Sequence, residues 1–252
     1  MNTNSNVYTV VYTTVIVVIV AAVLAFVSQS LKPMQEANEK AETISQILTA
    51  AQFGEKEHWQ EIGNAATIKF FNENIANEQA VVSPSTLKAL NYKIKEGSVD
   101  EAELPYYEFK NGISVIPVYG AGLWGPVWGF IAFDTDYQTV VGAYFDHESE
   151  TPGLGGKIKD DPAFRALFQG KKVDFEDADT PFEIVKNGTA KGLDMTSKVD
   201  AISGATMTSN GLNDAIGNWL RQYVPALKAA QALAAQPAAV DTVSAAIENV
   251  EE

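Results

Sequence analysis

YYEFKNGISVIPVYGAGLWGPVWGFIAFDTDYQTVVGAYF, residues 106–145, is a series of short apolar runs broken by turn residues. Residues 106–109 end at Lys110-Asn111-Gly112, and residues 113–119 at the glycine-rich Gly120-Ala121-Gly122-Leu123-Trp124-Gly125-Pro126. Residues 127–133 end at Asp134-Thr135-Asp136, and residues 139–145 close the series. β-Branched and aromatic residues fill each run, while Asn-Gly and acidic turns separate them, the pattern of consecutive hairpins. The stretch predicts an antiparallel meander and, with the helical patterns around it, an α+β domain.

Toward the N-terminus, residues 8–27 (YTVVYTTVIVVIVAAVLAFV) carry no charge. A helix of about twenty such residues spans roughly 30 Å of hydrocarbon, so the segment predicts one transmembrane helix. No Lys or Arg precedes Lys32, which disfavours a cleaved signal peptide and favours a retained anchor. Taken alone, Lys32 and Lys40 would put the bulk of the chain in the cytoplasm. Beyond Pro33, Met34, Ala37, Ala41, Ile44, Leu48 and Ala51 recur three and four apart, the stripe of an amphipathic helix. A second helical stretch covers residues 59–75; residues 83–100 read as mixed.

Toward the C-terminus, the meander is followed by the loop Glu150-Thr151-Pro152-Gly153-Leu154-Gly155-Gly156, a short helix at residues 162–168, and a strand at 182–186 closed by Asn187-Gly188. The small-residue stretch 199–209 (VDAISGATMTS) then runs into a helix. Leu212, Ile216, Trp219, Leu220 and Tyr223 give that helix its apolar face, and Pro225 predicts its end. The expected organisation is an anchor over residues 1–30, a helical stalk and mixed segment over 31–100, the α+β domain over 101–228, and an Ala-rich acidic tail over 229–252.

Composition removes several classes of chemistry. The net charge of −14, without clustered Lys or Arg, argues against nucleic-acid binding. The chain has no Cys and only His58 and His147, which leaves no thiolate, no all-Cys iron–sulfur site and no His-based metal site. Neither glycine-rich loop matches a dinucleotide or Walker fingerprint, and the G-x-S-x-G elbow is missing, so no catalytic residue and no metal ligand is expected. Glu148 and Glu150 read as a solvated rim. Thr208 or Ser209 reads as the N-cap of the C-terminal helix, with Asp200 ending a strand. A helix N-terminus with free N–H groups and positive partial charge also suits a phosphate at Thr206.

Asp200-Ala201-Ile202-Ser203-Gly204-Ala205-Thr206 resembles the flavinylation motif Asp-x-x-Ser/Thr-Gly-Ala-Thr of the FMN-binding domain family at all seven positions. With the single apolar helix, Gly122-Leu123-Trp124, residues 150–156, Glu183-Ile184-Val185-Lys186 and Ser203–Gly211 (SGATMTSNG), the chain is similar to the covalent-flavin subunit family of Na+-translocating NADH:quinone reductases. The alternatives are the homologous covalent-flavin family of RNF ferredoxin:NAD+ oxidoreductase complexes and a membrane-anchored structural protein without redox chemistry. The resemblance implies FMN joined by a phosphoester to Thr206, installed by a separate flavin transferase. It implies an electron-relay subunit of a multisubunit membrane complex, passing electrons to another flavin, with its soluble domain on the periplasmic side of the inner membrane. Trp124 and Leu154 would wall the isoalloxazine, with Leu123 and Glu150 of the same two loops also binding the cofactor. Thr151, Gly155 and Lys186 would supply polar contacts, and Ser203, Gly204 and Ala205 would shape the phosphate end.

Overall fold

The computed structural model describes residues 6–77, 79–177, 179–186 and 192–235. Helix α1 (Asn6–Ala50) is followed by α2 (Lys56–Ile62), α3 (Asn64–Asn74) and α4 (Pro84–Glu96). The strands β1 (Tyr107–Glu108), β2 (Ser114–Ala121), β3 (Pro126–Phe133) and β4 (Val140–His147) come next. Two short helices, α5 (Lys157–Asp160) and α6 (Pro162–Ala166), precede β5 (Glu183–Val185), β6 (Lys198–Asp200) and α7 (Thr206–Ala234).

The predicted meander is present: β1–β4 form one sheet in that order, each neighbour antiparallel. Side chains alternate across a strand, and the register assigns each face a partner. Gly120, paired with Val127, lies against Ala215 of α7. On the other face, Gly142 abuts Ala50 of α1, and Trp128 and Asp146 both bond to Gln46 of α1. The sheet is therefore sandwiched between α7 and the C-terminal part of α1, which accounts for strands buried along almost their whole length.

Several elements depart from the sequence reading. Helix α1 is continuous through Pro33, with residues 6–40 largely exposed and Ala41 onward buried against the sheet. The helical stretch 59–75 is divided at Gly63, whose φ of 82° ends α2 and starts α3. The mixed segment 83–100 contains α4, capped by the Ser83 hydroxyl accepting from the Thr86 N–H and closed by Gly97 in the left-handed region. Strand β5 forms no hairpin but pairs in parallel with β6; Asn187-Gly188 lie outside the described residues. Helix α7 passes Pro225 and ends at Ala234, because Tyr223, Val224 and Leu227 around the proline are buried. Of the tail, residues 236–252 lie outside the described residues.

Close approach of α7 to the sheet depends on Gly211. A Cβ at this position would run into the carbonyl oxygen of Ala121 and stand 3.2 Å from the Gly122 Cα, both backbone atoms. Alanine ordinarily gains up to about 1 kcal/mol over glycine in a helix. The overlap costs roughly 1–3 kcal/mol, so Gly211→Ala is expected to lower the urea midpoint despite its better helix propensity.

The β3–β4 turn is held by Asp136. Burial works against its charge, but the Thr139 hydroxyl at 2.6 Å, the Thr139 N–H at 2.7 Å and the Gln138 N–H at 3.0 Å outweigh it. With Lys172 they hold the carboxyl below its ordinary value. A depressed folded-state pKa contributes stability above the unfolded value of about 4, lost as pH falls through the folded value. Asp136→Asn should cost roughly 1–2 kcal/mol at pH 7. In urea melts between pH 7 and pH 3, that gap to wild type should narrow as the medium becomes acidic.

Candidate functional site

Three segments distant in sequence meet at one end of the sheet: the β2–β3 loop at residues 122–125, the loop 149–156 after β4, and the first turn of α7. Helix α7 opens without a side-chain cap. Its N-cap is Ala205, with no oxygen to offer, so neither Thr208 nor Ser209 is the cap. Thr208 instead donates its hydroxyl to Glu150 Oε2 at 2.6 Å, and the Ser209 hydroxyl accepts from the Ile202 N–H at 3.2 Å. The N–H groups of the first turn thus lack both intrahelical acceptors and a cap. Thr206, the first helical residue, is exposed at this positive end.

Short backbone turns present Thr206. Val185 C=O holds the Ala201 N–H at 2.7 Å, tying the start of the stretch to β5, and Ala205 N–H bonds to Ile202 C=O at 3.1 Å. Gly204 has φ of 81°, where a side chain would be strained, and a Cβ there would stand 3.3 Å from Leu154 Cδ2. Ser203 and Gly204 are exposed and Ala205 is buried. Asp200, at the end of β6, has a buried Oδ1 without a hydrogen-bond partner among the described residues.

Glu150 is not a rim residue; Glu148 is exposed, but Glu150 is only 4% exposed. Its Oε1 accepts the Trp124 N–H at 2.8 Å and its Oε2 the Thr208 hydroxyl. Its own N–H donates to His147 Nδ1 at 3.1 Å. Glycine is required on both sides of the carboxylate, since a Cβ on Gly122 would strike Oε1 and one on Gly155 would strike both Oε2 and the Thr208 hydroxyl.

Around the helix end stand exposed apolar groups: Trp124 at 66%, Leu123 at 49%, Leu154 at 46% and Met207 at 61% exposure. Trp124 is therefore a surface residue, not part of the core. Its loop is closed by Gly122 N–H to Gly125 C=O at 2.7 Å and by the Ser149 hydroxyl to Trp124 C=O at 2.9 Å. Thr151 is exposed, and its carbonyl accepts from Leu154 and Gly156, folding the second loop back on itself. Lys186 is exposed directly after β5, one residue past the carbonyl that holds Ala201. Thr208, Met207 and Gly211 escaped the sequence reading as contributors; the signal available was the helical phase that puts Thr208, Leu212 and Ala215 on the buried face of α7.

An FMN group fits this arrangement on two counts. Free N–H groups at a helix start suit a phosphate, and an exposed aromatic with two aliphatic neighbours suits a flat ring. Residues 122–221 match the FMN-binding domain family. NqrC of Vibrio vulnificus (strain YJ016), from its Na+-translocating NADH-quinone reductase, is 42% identical over 118 residues, 45% of each chain. Its counterpart from Chlamydia muridarum is 38% identical over 135 residues, 47% of this chain and 42% of that one. The matched region thus spans less than half the length of these curated relatives. The crystal structure of the corresponding protein from Parabacteroides distasonis is 29% identical with a TM-score of 0.61, covering 78% of this chain and 96% of that one. Residues 122–221 are thus similar to the FMN-binding domain family, in an α+β chain that resembles the NqrC proteins of Na+-translocating NADH-quinone reductases.

Proposed function

We propose that this chain is the membrane-anchored electron-relay subunit of a Na+-translocating NADH:quinone reductase, with FMN joined through a phosphoester to Thr206. The observation that carries this reading is an exposed threonine at the first position of a 29-residue helix whose cap, Ala205, leaves the N–H groups free. The first turn of α7 would hold the phosphate by those N–H groups and the helix dipole. Trp124 and Leu154 would lie against the isoalloxazine, with Leu123 and Met207 extending the wall, and Lys186 would place positive charge near a reduced, anionic ring. Bound there, FMN supplies reversible electron transfer, and the protein supplies position and potential.

Helix α1 would anchor the chain by residues 8–27, since its apolar part is long enough to cross a bilayer. We place the domain on the periplasmic side of the inner membrane, with the other subunits of the complex as partners and a flavin transferase for maturation. Sodium translocation belongs to the assembled complex, because α1 has no ionisable residue between Tyr8 and Val27 other than its tyrosines. The test is denaturing electrophoresis of the chain coexpressed with a flavin transferase. A fluorescent band on the denatured chain is expected, and a dark band overturns the reading.

A further inference from the structure

Glu150 lies at the centre of the site yet offers the surface nothing. Its two oxygens are taken by the Trp124 N–H and the Thr208 hydroxyl, its side chain is buried, and Gly122 and Gly155 close over it. One oxygen accepts from a backbone N–H and the other from a hydroxyl. Among the described residues it forms no ion pair, and its own backbone N–H donates to His147 Nδ1. This carboxylate therefore stands between the loop that carries Trp124 and the turn that carries Thr206, with no ion-pair partner among the described residues.

We propose that Glu150 is a positioning and potential-setting residue for the flavin and not one of its ligands. Resting on the flavin reading above, the inference has two physical parts. By bonding Trp124 and Thr208 at once, the carboxylate fixes the aromatic wall relative to the attachment helix, across 26 residues of sequence on one side and 58 on the other. By its charge it opposes negative charge gained by the isoalloxazine when electrons are added. The interior screens this poorly compared with water, so the effect exceeds that of a surface carboxylate at similar distance. Glu150 thus lowers the reduction potential, in opposition to Lys186.

The experiment is a spectroelectrochemical titration of the flavin-loaded chain in three variants beside wild type. Glu150→Gln preserves shape and one acceptor but removes the charge; Glu150→Asp preserves the charge; Glu148→Gln removes a charge two residues away in solvent. At a fixed poise, Glu150→Gln should show a roughly tenfold higher ratio of reduced to oxidised flavin than wild type. Glu150→Asp and Glu148→Gln should remain near the wild-type midpoint. A Glu150→Gln midpoint equal to wild type overturns the inference, as does an equal shift in Glu148→Gln. If Glu150→Gln folds by circular dichroism but takes up no flavin, restored loading in Glu150→Asp supports the charge requirement, and continued failure overturns it. Absence of flavin from wild type refutes the attachment reading instead, so the two failures are distinct.

Discussion

Thr206→Ala is expected to abolish the fluorescent band on a denaturing gel, while Thr206→Ser retains it. Alanine removes the single atom that can form the ester and leaves the helix start otherwise unchanged, because Thr206 makes no capping bond that the fold needs. Neighbouring hydroxyls cannot substitute. Thr208 is 2% exposed and committed to Glu150, and Ser209 is 1% exposed and committed to Ile202. Ser203 is exposed but lies before the helix, on the far side of Gly204 and Ala205. The variant should also lose its flavin during gel filtration. The ring would rest on an open surface, and tethering a weak ligand raises its occupancy by about 10²–10⁴. Intact mass of the wild type, Thr206→Ala and Thr206→Ser checks all three statements, and flavin retained covalently by the alanine variant would move the acceptor elsewhere.

Trp219→Ala should be the most destabilising single change in the fold. The indole is fully buried between α7 and α4 and donates from Nε1 to Asn91 Oδ1 at 3.1 Å. Truncation creates a cavity worth about 3–5 kcal/mol and leaves a buried amide short of a partner at a further cost of about 1–3 kcal/mol. Against a typical total of about 5–15 kcal/mol, this puts the domain near unfolding. A loss of unfolding free energy below about 2 kcal/mol in denaturant melts would show that α4 and α7 close over the gap. Trp219→Phe, which keeps most of the volume, should recover part of the loss.

The meander was legible in the sequence because β-branched runs and Asn-Gly or acidic turns encode it locally. The helix 84–96 was equally encoded, by Ser83-Pro84 at its start and Gly97 at its end, but its mixed polar face hid the period. Pro225 misled the reading of the last helix, and Pro33 breaks nothing either. Pro33 lies in an exposed part of α1 and Pro225 in a stretch whose neighbours are buried, and in both the surrounding helix outweighs one lost backbone bond. Strand β5 has its partner fifteen residues on, in parallel, and no turn residue announces that pairing. At the site, the glycine loops and Thr206 were visible as residue types. The burial of Glu150 was not, since it depends on Trp124 and Thr208 arriving from elsewhere in the chain.

Helix α1 makes the apolar segment and the core one rod. From Val27 to Ala41 runs about 21 Å of unbroken helix at 1.5 Å per residue, and Gln46 on that same rod grips Asp146 and Trp128 of the sheet. Azimuth and elevation are then coupled: each residue inserted between them raises the sheet by about 1.5 Å and turns it by about 100°. A single insertion there would swing the face that carries Thr206 away from its original bearing relative to the apolar segment. Seven insertions would bring it back within about 20° of that bearing, displaced outward by roughly 10 Å. The rod behaves as a screw thread, in which the compass heading of Thr206 is written in the number of residues between the apolar segment and the sheet.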